Sequence, residues 1–394
     1  MLDDKQLEKV LELYFNRFNN INTRTLQLLG KTIKQFDGIT TSEAHTLAQK
    51  LKYGTDLDDL IEQISKASGK SIQDVKMLLN KVAEENVDFA KTYYKAQNKE
   101  FISYKNNDRL KKYVRTVANQ TNGLFKNIAR SQNIGFTYTY SNGITVFKPL
   151  KQVYNDLIDE AVYNVSTGVE DYQSAMRKTI KQLADSGIKV HEEKVGYLSG
   201  YNRRIDTAVR QNILDGIRTT NIGIQEQVGE EFGADGVEIS AHAPCAEDHL
   251  QINGRQYSKK KFERINDNLA RPVGTLNCRH FVFSIILGVS KPRYTKEQLK
   301  QMEIESHKKV KYGNKEYTKY EATQEQRRIE TEVRRQKDRQ IIAKASGDME
   351  TVEKAQNKIS ILTKKYKEFS EVAGLPTYVE KMQVSGYHRI KTGK

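Results

Sequence analysis

Tryptophan is absent from this 394-residue chain, and proline and cysteine are nearly so, at five and two residues. Each proline removes a backbone donor and clashes with the preceding turn, so their scarcity leaves long helices uninterrupted. Two cysteines cannot make a disulfide framework, which points to a protein made for a reducing cytoplasm. No run approaches the roughly 18 apolar residues of a membrane span, so no membrane partner is expected. The opening residues, MLDDKQLEKVLELYF, carry acid where a secretory signal needs base, and no apolar stretch follows. Apolar residues reach 37% and charged residues 29%. Ordinary domains hold roughly 45–50% apolar residues, glycine included. The balance implies a helix-rich chain with much exposed surface and modest cores.

What is plentiful is positive charge. The chain carries a net +15, and residues 291–394 hold 25 Lys and Arg against 15 Asp and Glu, so +10 lies in the last quarter. Such a region favours polyanions, double-stranded DNA among them, or an acidic protein surface. A solvated lysine-rich helix is the plainer alternative.

Helical periodicity dominates the first third. Leu7, Val10, Leu11, Tyr14, Phe15 and Phe18 form one stripe, continued by Leu26, Leu29, Ile33 and Phe36. Thr40 with Glu43 forms a capping box that opens a helix over Thr41–Leu51. A third helix is expected over Leu57–Ser68, stopped by Gly69, with Ser71 and Asp74 opening the next. Ser68-Gly69-Lys70-Ser71 lacks the upstream glycine of a phosphate-binding loop, since Ile64 stands there, so nucleotide chemistry is not expected. Helix continues from Ile72 to about Arg130. Its Tyr93, Tyr94, Phe101 and Tyr104, interleaved with lysines, read as core aromatics more readily than as a base-stacking surface.

At Phe136–Phe147 the period changes to two around Ser141-Asn142-Gly143, a hairpin signal. Helices follow over Val153–Val165, Tyr172–Ala184 and Tyr197–Glu231. Val237–Ser240 and Phe281–Ile286 read as short buried strands. After Pro292 the pattern is helical again. A thin stripe (Ala322, Ile329, Val333, Ile342, Ala345) and a heptad seam (Val352, Ala355, Ile359, Leu362, Tyr366, Phe369, Ala373) flank Ser346-Gly347-Asp348 as an αα-hairpin. The expected class is therefore α+β, predominantly helical, with a small central mixed module and a C-terminal helical hairpin. Three consecutive regions are expected: 1–135, helical; 136–290, the central α+β domain; and 291–394, the basic hairpin and tail.

Chemically versatile side chains concentrate in Ile239–Tyr257 and Leu276–Ile286. His242, Cys245 and His249 precede a basic connecting segment, and Cys278 and His280 follow it. Neutral imidazoles and thiolates in two close sets flanking a loop are the donors of a structural zinc site. On a strand Cys278 and His280 would share one face, so they would need a bend to reach a common ion. A packed turn is the competing reading, with the histidines bonded to carbonyls and the cysteines acting as small hydrophobes. Asp248 could fix an imidazole tautomer in either case. A Cys–His nucleophile pair using Glu247, Asp248, His249 and Cys278 can be drawn, but no recognised catalytic motif supports it. No enzyme activity and no small-molecule substrate are expected.

The string Ile239-Ser240-Ala241-His242, then Asp248-His249, Gly254 and Tyr257, resembles the signature of the phage minor capsid protein 2 family. Gly274, Asn277-Cys278-Arg279-His280 and Pro292-Arg293-Tyr294 are similar to it as well. That family is related to the phage-Mu head-morphogenesis (MuF-like) proteins. The likeness extends to Thr167-Gly168, Tyr172–Met176, Arg203, Arg210, Tyr320–Arg327, Lys344–Asp348 and Gly374-Leu375. It covers most of the chain and is weakest before the Asn142-Gly143 turn.

The resemblance implies a minor structural protein of a tailed-phage head, associated with the portal protein and capsid interior and assembled in the host cytoplasm. It implies a role in head assembly, DNA packaging or DNA delivery. Cys245 stands where the family often has a small residue, which leaves His242, His249, Cys278 and His280 as the better quartet for a metal. A metal-dependent effector delivered with the DNA, using His242, His249 and Cys278, and a DNA-binding assembly factor outside the virion are the alternatives.

Overall fold

The computed structural model describes residues 4–140, 142–168, 172–192, 201–275 and 278–390. Ser141 of the expected hairpin turn, Tyr197–Gly200 of the expected third helix of the middle region, Leu276 and Asn277, and Lys391–Lys394 of the tail lie outside them. In chain order come α1 (Asp4–Gln35), α2 (Thr41–Lys52), α3 (Asp56–Ala96), α4 (Asp108–Ile128), β1 (Ile134–Thr139) and β2 (Thr145–Pro149). Next are α5 (Leu150–Ser166), α6 (Tyr172–Ser186), β3 (Lys189–Glu192), β4 (Tyr201–Arg204), α7 (Ile205–Phe232), β5 (Gly236–Ile239) and α8 (Glu247–Leu250). The chain closes with β6 (Gln256–Ser258), α9 (Lys259–Asp267), β7 (Val282–Ile285), α10 (Lys296–His307), β8 (Lys309–Tyr312), β9 (Lys315–Thr318), α11 (Lys319–Ser346) and α12 (Met349–Val372). Long helices with small antiparallel sheets make this an α+β protein. No helix among the described residues is long and apolar enough to cross a membrane.

The chain divides into two compact units, each assembled from three separated segments. Unit 1 takes Met1–Leu11, Ile72–Leu124 and Arg210–Glu325; unit 2 takes Glu12–Ser71, Phe125–Val209 and Gln326–Lys394. Each of the three consecutive regions read from the sequence contributes to both.

Unit 1 holds the sheet β6-β5-β7, both pairings antiparallel, with Val237 facing Tyr257 on one side and Ser284 on the other. Helical aromatics lie against this module. The Phe232 ring stacks on Tyr93 at 5.2 Å and meets Tyr94 edge-on, and Phe89 reaches Phe283 of β7 at 5.8 Å. Tyr93 and Tyr94 thus serve packing. A beam of helix from Ile72 to Arg130 was expected; instead α3 stops at Ala96 and α4 begins at Asp108. Asn98 there has φ +50°, and the Asn107 side chain accepts from the Leu110 N–H to cap α4. Lys309–Thr318, expected to be helical, forms the hairpin β8-β9 about Gly313, whose φ is +61°. Gly-Asn between Val310/Tyr312 and Tyr317 is the overlooked signal.

Unit 2 holds the sheet β2-β1-β3-β4, with Tyr138 opposite Val146 in the hairpin. The strands β3 and β4 were not expected; Tyr201–Arg204, placed in a helix by its sequence, is the second of them. The capping box at Thr40 is present, with both reciprocal bonds made. Gly69 does not stop a helix, because α3 runs straight through it. Ser68 and Ser71 are both fully buried and continue the stripe between Ile64 and Val75.

The hairpin of α11 and α12 is antiparallel. Gln326 bonds to Ser370, Tyr366 to Glu330 and Gln340 to Gln356, three rungs whose residue numbers share one sum. Val352, Ala355, Ile359, Tyr366, Phe369 and Ala373 are buried as the seam requires. Yet α11 is no solvated arm. Glu330, Gln336, Asp338 and Gln340 are buried alongside Ile329, Val333 and Ile342. Helix α1 packs tightly against it: a Cβ added to Gly30 would lie 2.6 Å from the Ile342 carbonyl oxygen and 2.7 Å from the Ala345 Cβ. At the centre of unit 2 the Arg204 guanidinium donates twice to Asp338, at 3.1 Å, and sits 3.5 Å from Asp206. Asn22 of α1 donates to the other Asp338 oxygen at 3.1 Å.

Candidate metal centre

The site lies in unit 1, where a small core of Val237, Ile239, Ile252, Leu269 and Val273 closes beneath the three-stranded sheet and takes in Cys278. After β5 the chain turns through the single-turn helix α8. The His249 carbonyl accepts from the N–H groups of both Ile252 and Asn253, at 3.1 Å, which tightens the turn behind its own side chain. Gly254 follows with φ +70°, and a Cβ there would fall 2.3 Å from Leu299 and 2.9 Å from Ala241. Only glycine fits. On the far side of the connecting segment the Cys278 N–H donates to Thr275 at 2.8 Å, and the chain enters β7 only at Val282. Cys278 and His280 are therefore on a loop rather than on a strand, and the loop supplies the bend.

Three donors converge. The Nδ1 atoms of His249 and His280 are 3.3 Å apart, and the Cys278 Sγ lies 3.6 Å from the first and 3.5 Å from the second. All three residues are buried. Each imidazole is oriented from behind. His249 donates its Nε2–H to the Arg271 carbonyl at 2.7 Å, and His280 donates its Nε2–H to the Asn253 side-chain oxygen at 3.0 Å. The Asn253 amide has its own orientation set, since it accepts from the His242 N–H at 3.0 Å and donates to the His242 carbonyl at 3.2 Å. Both rings are thereby held with Nδ1 facing the sulfur, and in the neutral ring that atom is the unprotonated one.

Electrostatics favours the thiolate. Burial pushes the Cys278 thiol up, but the His249 contact and the backbone N–H groups of Gly274 and His280 outweigh it, and the net shift is down. Burial pulls His249 down, while Cys278 and the Arg271 carbonyl carry it above the usual histidine range. His280 is pushed down to about 2 by burial and then by His242 and His249, so it stays neutral.

The other two candidates stand aside from this cluster. The His242 ring lies against His280, centroids 4.3 Å apart, and its backbone is what Asn253 holds. Cys245 is buried, and burial pushes its thiol up to about 11. Among the described residues the group of mutually close donors stops at His249, Cys278 and His280, whose atoms lie within 4.8 Å of one another. Asp248 does not set the His249 tautomer: its carboxylate pairs with Arg271 at 2.9 Å and lies 3.8 Å from Nε2. Glu247 faces solvent near His307. The residue that spacing could not reveal is Asn253, which orients two of the histidines. Its only sequence signal is the glycine after it, marking a turn that brings a side chain back on the chain.

A model of the family described as Phage minor capsid protein 2 matches residues 2–371. No curated protein and no solved structure matches the chain.

Proposed function

The chain belongs to the phage minor capsid protein 2 family, and from that premise we propose that it acts at the portal vertex of a tailed-phage head, assisting head assembly and DNA packaging or delivery. As a minor capsid protein it is a virion component. The match over residues 2–371 carries the reading, since it takes in both units and the His/Cys centre alike. The role is structural rather than enzymatic. In support, the family is one of capsid components.

The DNA contact falls to α12 in this reading. Many cations of α11 are engaged within unit 2: Arg339 with Asp185, Arg335 with Glu332, Arg334 with the Lys381 carbonyl and Lys337 with the Met382 carbonyl. Lys354, Lys358, Lys364 and Lys367 of α12 are exposed, Lys354 and Lys364 in surface pairs with Glu350 and Glu368, and so are Lys308, Lys309, Lys311 and Lys315 around β8-β9, Lys309 beside Glu316. Phosphate contacts of this kind are non-specific and salt-sensitive.

Quantitative mass spectrometry of gradient-purified mature particles and of empty precursor heads tests the proposal. A few copies per particle in both, in constant ratio to portal subunits, is the expected result. Absence from both would refute it.

A further inference from the structure

We propose that His249, Cys278 and His280 bind one zinc ion, through Nδ1, Sγ and Nδ1, and that solvent supplies the fourth ligand. The edges of the donor triangle carry the inference. Zinc holds imidazole nitrogen at about 2.0–2.1 Å and thiolate sulfur at about 2.3 Å. Tetrahedral geometry then fixes a nitrogen–nitrogen edge of about 3.3–3.4 Å and nitrogen–sulfur edges of about 3.5–3.6 Å. The three separations here are 3.3, 3.6 and 3.5 Å. One face of a zinc tetrahedron is already drawn.

Chemistry points the same way. Two imidazole nitrogens 3.3 Å apart and facing one sulfur need a proton or a cation among them. One proton can serve only one of these edges, whereas a cation serves all three. A mixed imidazole–thiolate set selects zinc over the hard cations that prefer oxygen. Each ring nitrogen pointing away from the triangle is bonded to an oxygen acceptor, the arrangement that orients metal-bound histidine. The His280 N–H also points at the sulfur, at 3.4 Å, as a donor to a metal thiolate does. Among the described residues no fourth side chain joins the group, which leaves one vertex for water.

The ion would clamp α8 to the loop before β7, two segments separated by the whole of β6 and α9. Its effect on unit 1 would be that of a cross-link.

The full-length protein, purified without chelator or added metal, is analysed by inductively coupled plasma mass spectrometry, then stripped and reloaded with cobalt(II). Roughly one zinc per chain is expected, with a sulfur-to-cobalt charge-transfer band in the near ultraviolet after reloading. Cys245→Ser should keep the band and Cys278→Ser should lose it. Asn253→Ala, which leaves all three donors in place, should weaken zinc binding by about 10–100-fold. Added azide should change the visible cobalt spectrum by taking the solvent position. Far-ultraviolet circular dichroism on each variant separates lost binding from lost fold. Protein that arrives without zinc and takes none up on titration would overturn the site. Loss of the band in folded Cys245→Ser would overturn the ligand set, and an azide-insensitive spectrum would overturn the solvent ligand.

Discussion

Replacing Arg204 by methionine should strand two carboxylates in the interior of unit 2. Asp338 is 0% and Asp206 1% exposed, and both face this guanidinium. Methionine matches the stem of arginine but offers no cation. Removing one partner of a buried ion pair costs about 3–5 kcal/mol, because the other charge is left uncompensated. That is a large share of the roughly 5–15 kcal/mol that holds a typical protein folded. The deficit should depend on pH in a fixed sense. Burial holds Asp338 up at about 6, against 3.8 for an ordinary aspartate, so the fold prefers its neutral form. The stability tied to that proton is complete below about pH 4 and is lost as pH rises through about 6. Asp206 is shifted down, with burial opposing and Arg204 prevailing, so its contribution is lost only at still lower pH. Without Arg204 the Asp338 carboxyl binds its proton more tightly still. The variant should be far weaker than the wild type at pH 8 and close much of that gap at pH 5. Hydrogen-exchange mass spectrometry on β3, β4 and the second half of α11, with urea titrations at both pH values, measures this. A deficit below about 1 kcal/mol at pH 8, or one that widens on acidification, would refute the account of the cluster.

Asp338→Asn should flatten the wild-type slope between about pH 4 and 7, where the shifted proton is worth on the order of 3 kcal/mol; urea midpoints across that range check it. Gly30→Val has no room beside Ile342 and Ala345 and should destabilise unit 2 by about 1–3 kcal/mol, visible as a lower melting temperature. Thr40→Ala removes one half of the capping box and should cost about 1 kcal/mol, read as faster exchange in the first turn of α2. Changing Lys354, Lys358, Lys364 and Lys367 together to glutamine should reduce the slope of log affinity for duplex DNA against log salt by up to about 3.6, at about 0.9 per phosphate contact. An unchanged slope would move the DNA contact elsewhere.

The elements legible in the sequence were those whose signals are local. The stripe of α1, the Thr40–Glu43 box, the Asn142-Gly143 hairpin and the α12 seam each rest on closely spaced residues and need no partner to be recognised. Gly69 misled because propensity is a weak force beside tertiary packing: the stripe it seemed to end continues through two buried serines. In α11 the apolar stripe is thin because buried polar residues fill the positions between, and their partners (Asn22, Arg204, Tyr366, Ser370) are far away in sequence. The strands β3 and β4 carry charge at Lys189, Glu192, Arg203 and Arg204, which disguises them; Arg203 meets Glu192 across the pair at 2.8 Å. At the candidate centre the residue types pointed to the neighbourhood in which donors converge. Choosing three of the five required knowing that Cys278-Arg279-His280 is a loop, and that Asn253 turns back to hold His242 and His280.

The three-segment make-up of each unit governs how the protein can be born. On a translating ribosome, the Asn22 side chain waits for the Ile188 N–H it accepts from and then for Asp338, and Asn19 waits for the Ser385 N–H it accepts from, at 2.9 Å. Glu8 likewise meets Arg210 only after some two hundred further residues have emerged. Unit 1 stays open until its third segment, ending at Glu325, has emerged, and unit 2 until Gln326–Lys394 has followed, and the delay is spent with apolar helix faces uncovered. Long-range closure of this kind is slow and exposes a chain to aggregation. A product terminated before Glu325 would contain no complete folding unit, and heterologous expression should gain more from a lowered temperature or added chaperone than from trimming either end.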